Sequence, residues 1–193
     1  MQSTIRAQNE LHYYSDRLRR KLDGLRFAPA TVVEAPSGYG KTTAIRDFLT
    51  AALPPSAPVY WFTATDELPA AGFRRLCREI DKIDSRAGDR LLKIELPAAA
   101  TVGEACDALR CLQCRNETYL VIDNFQFLSD ALPFSFTTSL LAHGGARLHV
   151  IVSPRYSGGR FSPLCASTAS RTSRKRICVL PPTISAAIMG RRA

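Results

Sequence analysis

Beyond Asp130 the chain contains no aspartate or glutamate. Residues 1–130 hold 17 Lys+Arg and 17 Asp+Glu, whereas the remainder adds nine basic residues, seven of them between Arg160 and Arg192. The net charge of +9 therefore belongs to a basic C-terminal segment on a neutral body, which argues against a basic nucleic-acid-binding face. Long apolar runs are missing too: nothing approaches the roughly 18 residues of a membrane-spanning helix. Met1–Glu10 has neither the apolar stretch nor the small-residue cleavage site of a secretory signal. These absences lead us to expect a cytoplasmic protein with no membrane partner. There is no internal repeat. The three histidines, His12, His143 and His149, lack metal-ligand spacing and read as surface or ordinary polar positions. Of six cysteines, only Cys111 and Cys114 form a Cys-x-x-Cys, with no second pair and no His pair at ligand distance. That pair is half a zinc site, a redox couple, or small buried apolar residues of a helix, since Ala105–Leu112 has apolar residues at helical spacing.

What is present suits one globular domain. A length of 193 residues with 46% hydrophobic content supports a sizeable core and is too short for two large ones. Leu11, Tyr14, Leu18, Leu22 and Leu25 mark an amphipathic helix from Glu10 to Leu25. Short apolar strands are expected at 30–35, 59–63, 118–123 and 147–152. Helices are expected at 41–52, ended by Pro54-Pro55, and at 70–83, 101–112 and 131–142. Thr101 and Glu104 have capping-box spacing. Strands that are apolar along their length and alternate with helices indicate an α/β fold with a mostly parallel sheet, covered on both faces.

The segment Ala35-Pro36-Ser37-Gly38-Tyr39-Gly40-Lys41-Thr42 lies between a strand and a helix. It departs from the Gly-x-x-x-x-Gly-Lys-Ser/Thr phosphate loop only at Ala35. Glycines at 38 and 40 let the backbone turn its amides inward, and the following helix directs its unpaired N–H groups to the same anion. Lys41 then reaches the β- and γ-phosphates, and Thr42 ligates Mg²⁺. Such a loop needs an acid on a neighbouring strand. Tyr119-Leu120-Val121-Ile122-Asp123 supplies one at the strand's C-terminal edge, where open α/β sheets bind ligands. Asp123 holds the magnesium shell through water, or else it only begins a turn. Asn124 stands where many ATPases place a second acid, and an amide cannot accept the proton of an attacking water. Arg155 follows the last strand, either to contact the γ-phosphate or as a solvated arginine. The expected nucleotide-binding residues are thus Pro36, Ser37, Gly38, Tyr39, Gly40, Lys41, Thr42, Thr43, Asp123 and Arg155. ATP and Mg²⁺ are the cofactors, and no catalytic residue is assigned.

Ala-Pro-Ser-Gly-Tyr-Gly-Lys-Thr-Thr at 35–43 resembles the Ala-Pro-Ala-Gly-Tyr-Gly-Lys-Thr-Thr loop of the STAND-class signal-transduction ATPases that head the large LuxR-type transcriptional activators. That family's loop also begins with Ala. Other elements agree in order: the Arg17, Leu18, Leu22 lead-in helix, Trp61 followed by Asp66, Pro69 and Phe73, and Val-Ile-Asp-Asn at 121–124 against the family's Val-Ile-Asp-Asp. The strand Leu148–Arg155 is similar to the one that ends in its sensor-like arginine. The similarity spans about residues 11–155. It implies a P-loop NTPase three-layer fold and an ATP-dependent switch, hydrolysing slowly at most, with self-association in the full-length family. The winged helix, sensor repeats and DNA-binding helix-turn-helix of such activators have no counterpart here, so we expect a truncated regulator with no DNA-binding domain in this chain.

This reading divides the chain into a helical lead-in (1–28), a P-loop nucleotide-binding domain (29–159) that is incomplete at its C-terminus, and a basic, disordered tail (160–193). Read two bases later, one permitted choice of codons for Ser170–Arg192 yields a peptide containing Asp-Leu-Arg-Phe, similar to the family segment after the sensor strand. On that basis the tail is expected to be a frameshift product. A free-standing P-loop kinase or nucleotidase, or an inactive remnant, are the alternative functions.

Overall fold

The computed structural model describes residues 16–142, Gly145, 147–155 and 176–180. The chain runs α1 (Asp16–Leu22), a 3-10 turn (Asp23–Arg26), β1 (Ala30–Glu34), α2 (Lys41–Ala52), β2 (Val59–Thr63), α3 (Pro69–Ile83) and α4 (Ser85–Ile94). It continues through α5 (Val102–Arg110), β3 (Thr118–Asp123), α6 (Gln126–Ser129), α7 (Phe134–Ala142), β4 (Leu148–Ser153) and β5 (Arg176–Leu180). The strands form one sheet in the order β2-β3-β4-β1-β5. β2, β3, β4 and β1 are parallel, and β5 joins β1 antiparallel. This is the three-layer α/β architecture, with a mostly parallel sheet, expected of a P-loop fold.

The layering follows from strands that are apolar on both faces. Residues of β1, β3 and β4 are buried throughout, so helices must cover each side of the sheet. Ala30, Val32, Leu120, Ile122, Val150 and Val152 meet Phe73, Leu76 and Ile80 of α3, Leu109 of α5 and Phe136 and Leu140 of α7. Val33, Tyr119, Val121 and Ile151 on the opposite face meet Ile45, Phe48 and Leu49 of α2, with Leu22 and Leu25 of the lead-in. Among the described residues no helix is long and apolar enough to cross a membrane.

Several local expectations are corrected. α4 was not foreseen, because its sequence has few apolar residues and a glycine. Asp84 begins it by accepting from Arg86 N at 3.0 Å, and its second oxygen accepts from Gln113 N at 2.9 Å. Gly88 then lets α4 cross α3 closely, since a Cβ there would lie 2.4 Å from Asp81 Cα. The capping box at Thr101 does not form: its hydroxyl accepts from Ala98 N at 3.1 Å instead, tightening the turn before α5. Of the two readings open for His149, a surface or an ordinary polar position, its burial removes the first. Its Nδ1–H donates to the Ala28 carbonyl at 2.8 Å, Nε2 meets Glu117 Oε2 at 2.7 Å, and the ring stacks on Tyr119. In the segment expected to be a disordered tail, residues 176–180 form β5, because the open edge of β1 offers backbone partners to a β-branched run. The rest of that segment, and the expected helix before Asp16, lie outside the described residues.

The α3–α4 crossing makes a test. Gly88→Ala must push the two helices apart and is expected to cost about 1–3 kcal/mol, the range of overpacking in a filled interior, read as a lowered urea midpoint. Parental stability would mean the helices are not in such close contact.

Candidate functional site

β1 ends inside the sheet, so the chain must leave it sharply to enter α2 above the same edge. Gly38 at φ 81° and Gly40 at φ 68° make that turn. A Cβ at either glycine would meet nothing within 4 Å, so the requirement is conformational and not one of space. Gly40 is the N-terminal cap of α2, and its carbonyl accepts from Ala44 N at 2.8 Å. The first amides of α2, which have no partner within the helix, therefore open onto the loop. Ser37, Tyr39 and Thr43 are exposed around it, Pro36 is half-buried, and Ala35 is buried beneath.

Lys41 arches back over this turn. Its ammonium donates to the Ala35 carbonyl at 2.6 Å and to the Pro36 carbonyl at 3.1 Å. Burial holds its pKa below the ordinary lysine value, the Arg155 charge lowers it further, and Asp123 opposes both. The next residue links the loop to the middle of the sheet: Thr42 Oγ1 donates to Asp123 Oδ2 at 2.7 Å, across 81 positions of sequence. Asp123 is only 3% exposed, and its other oxygen accepts from Asn124 N at 3.0 Å. Asn124 has φ 54°, a left-handed conformation that asparagine tolerates better than most side chains.

β4 separates β3 from β1, and Ser153 at its end is the register partner of Asp123. Two residues on, the Arg155 N–H donates to Gln126 Oε1 at 2.9 Å, while its exposed guanidinium lies 5.5 Å from the Phe127 ring centroid. Lys41, Thr42, Asp123 and Arg155 thus meet at the C-terminal edge of the parallel strands, joined by Gln126 and Ser153. Sequence reading passed over Gln126. The available signal was a polar residue in Phe125-Gln126-Phe127-Leu128, three places beyond Asp123. It also passed over Arg75, whose guanidinium donates to the Thr63 carbonyl at 2.9 Å and pairs with Glu67, bracing the turn after β2. That turn is tied to the site by Ala64 N, which donates to the Asp123 carbonyl at 2.9 Å.

The cysteines lie elsewhere. Cys77 and Cys106 are buried, and burial pushes the Cys77 thiol up to about 12. Cys114 is half-buried with its thiol also raised, chiefly by burial, which disfavours the reactive thiolate. Among the described residues no group of three His, Cys, Asp or Glu could hold a metal ion.

The lysine, the hydroxyl and the strand-end acid are thus assembled at one edge of the sheet, around a turn made by two left-handed glycines. No protein-family model matches the sequence, and no curated protein matches it.

Proposed function

We propose that this chain is an ATP-binding regulatory module of the STAND class, the switch domain of a LuxR-type transcriptional regulator. The observation that carries the reading is the Thr42–Asp123 hydrogen bond beneath a turn made by two left-handed glycines. It brings a hydroxyl and a carboxylate together where a hydrated Mg²⁺ takes one from each. The donor set also suits a polyphosphate. Among the described residues the direct partners of Lys41 are the neutral carbonyls of Ala35 and Pro36, so a phosphate oxygen would give its ammonium a charged acceptor. The amides at the start of α2 would add donors to the same anion, and the space beside Gly38 and Gly40 allows its approach. When bound, Mg²⁺–ATP supplies a phosphoanhydride and the charge that tells one state of the switch from the other. The residues on hand hold and orient it, and Asn124 has no basic atom with which to take a proton from water. Self-association of the full-length regulator and a cytoplasmic location belong to the same proposal. The location is supported by the free thiols at 77, 106, 111 and 114.

Two measurements test it. Isothermal calorimetry should give Mg²⁺-dependent ATP binding, weakened by Lys41→Ala by about 1.5–3 kcal/mol, the worth of a hydrogen bond to a charged group. The absence of binding, or an unchanged affinity in the variant, refutes the assignment. Turnover should stay below about 1 s⁻¹, the low end of ordinary enzymes, and Asn124→Asp should raise it. A faster parental rate would favour a small kinase or nucleotidase over a switch.

A further inference from the structure

In the helical layer opposite α2, a cleft of about 300 Å³ opens among α3, α4 and the segment that leads into α5. Its interior is apolar. Phe73 and Leu91 are fully buried and form the floor, while Leu92, Ile94 and Leu96 are half-buried and form the walls. The segment on the far side is held by the Thr101 hydroxyl, which accepts from Ala98 N at 3.1 Å, and both of these residues line the cleft.

Two charged residues also line it, Arg74 from α3 and Glu95 from the end of α4. They are opposite in sign and both are exposed. Among the described residues neither side chain has a hydrogen bond or an ion pair, whether with the other or with a third group. Glu95 is held in a costly backbone state as well. It caps α4 at φ 59°, ψ −143°, a region that L side chains rarely adopt and that glycine enters freely. A glutamate kept there against its conformational preference points to a use for its carboxylate. Among the described residues no backbone bond runs from Glu95 N, so the carbonyl end of α4, negative by its dipole, stays available beside that carboxylate.

We propose that this cleft binds a free α-amino acid with an apolar side chain. A purely apolar molecule would leave both charges unused, and a simple ion would leave the apolar walls wet. A zwitterion carries the two missing partners on one carbon. Its carboxylate takes the Arg74 guanidinium, whose planar donors suit a two-oxygen acceptor. Its ammonium takes the Glu95 carboxylate and the carbonyl end of α4. The side chain enters between the walls and leaves water against Phe73 and Leu91. The volume is at the lower end of the range for small-molecule sites, as a ligand of this size requires. None of these residues belongs to the Lys41–Asp123 site, so the inference stands apart from what binds there.

Calorimetric titration of the full chain with L-leucine, L-methionine and L-phenylalanine tests it. At least one of the three is expected to bind saturably, at about 1 mM or tighter. N-acetyl-L-leucine lacks the ammonium, leucinamide the carboxylate and glycine the side chain, and each should bind about tenfold more weakly or worse. Arg74→Ala and Glu95→Gln should weaken the amino acid by a similar factor. Glu95→Gly separates function from folding: its thermal midpoint without ligand should rise, because the backbone cost is removed, while its amino-acid affinity falls. Both substituted sites are at the surface, so the variants are expected to fold. Failure of all three amino acids to bind, equal binding of the acetylated or amidated ligand, or parental affinity in the variants overturns the inference. A lowered midpoint in Glu95→Gly refutes the strain on which the role of Glu95 rests.

Discussion

A carboxylate taken out of water needs hydrogen-bond donors, and Asp123 has two, from the Thr42 hydroxyl and from Asn124 N. Only the first reaches across the molecule. β4 lies between the strand that carries Asp123 and the strand that leads into the Gly38–Gly40 turn, so this one bond spans three strands of the sheet. It sets the start of α2 over the edge of β3, and the rest of the site takes its place from that arrangement. With Thr42 so held, Lys41 is brought above the loop carbonyls and Arg155 comes near enough for their charges to interact.

The remainder of the fold keeps that edge in place. β3 is paired on both sides, in register from Tyr119 to Asp123 with β2 and from Thr118 to Asp123 with β4, and its side chains are buried on both faces. A strand so enclosed cannot slide without exposing an apolar row and breaking two ladders. On one side Phe73, Leu76 and Ile80 of α3 pack beneath Leu120 and Ile122, and Phe73 meets Phe136 edge-to-face at 5.5 Å. On the other, α2 lays Ile45, Phe48 and Leu49 over Val121 and Ile151. At the far end of the strands, His149 ties β4 to Ala28 and Glu117, fixing where β1 enters the sheet. The position of Thr42 relative to Asp123 is thus a consequence of the whole core.

Burial also gives the site its electrostatic character. Lys41 is placed among carbonyl dipoles and beside another cation, with Asp123 as its counterweight. An ammonium in such surroundings interacts more strongly with an added anion than one in bulk water would, because the local dielectric is lower. The left-handed backbone at Asn124 adds a constraint of its own: the turn after β3 favours Asn, Asp or Gly there on conformational grounds, apart from any chemical role.

The amino-acid sequence alone determined the elements whose signals are local. Apolar runs at 30–35, 59–63, 118–123 and 147–152 read as strands, and each of them forms one, with β1, β3 and β4 buried on both faces and β2 only partly so. Phe73, Leu76, Cys77 and Ile80 recur at helical spacing, and they form the buried face of α3. What the tertiary structure decided depends on distant partners. α4 exists because Asp84 caps it and Gly88 lets it lie on Asp81, neither of which makes a period in sequence. β5 depends on an open edge of β1 that lies some 140 residues earlier in the chain, on the order of a whole domain length. The burial of His149 and the pairing of Gln126 with Arg155 each join groups from different elements. Local pattern records which face of an element is apolar. Which elements become neighbours is set by non-local pairing and burial, and it is those neighbours that complete the site.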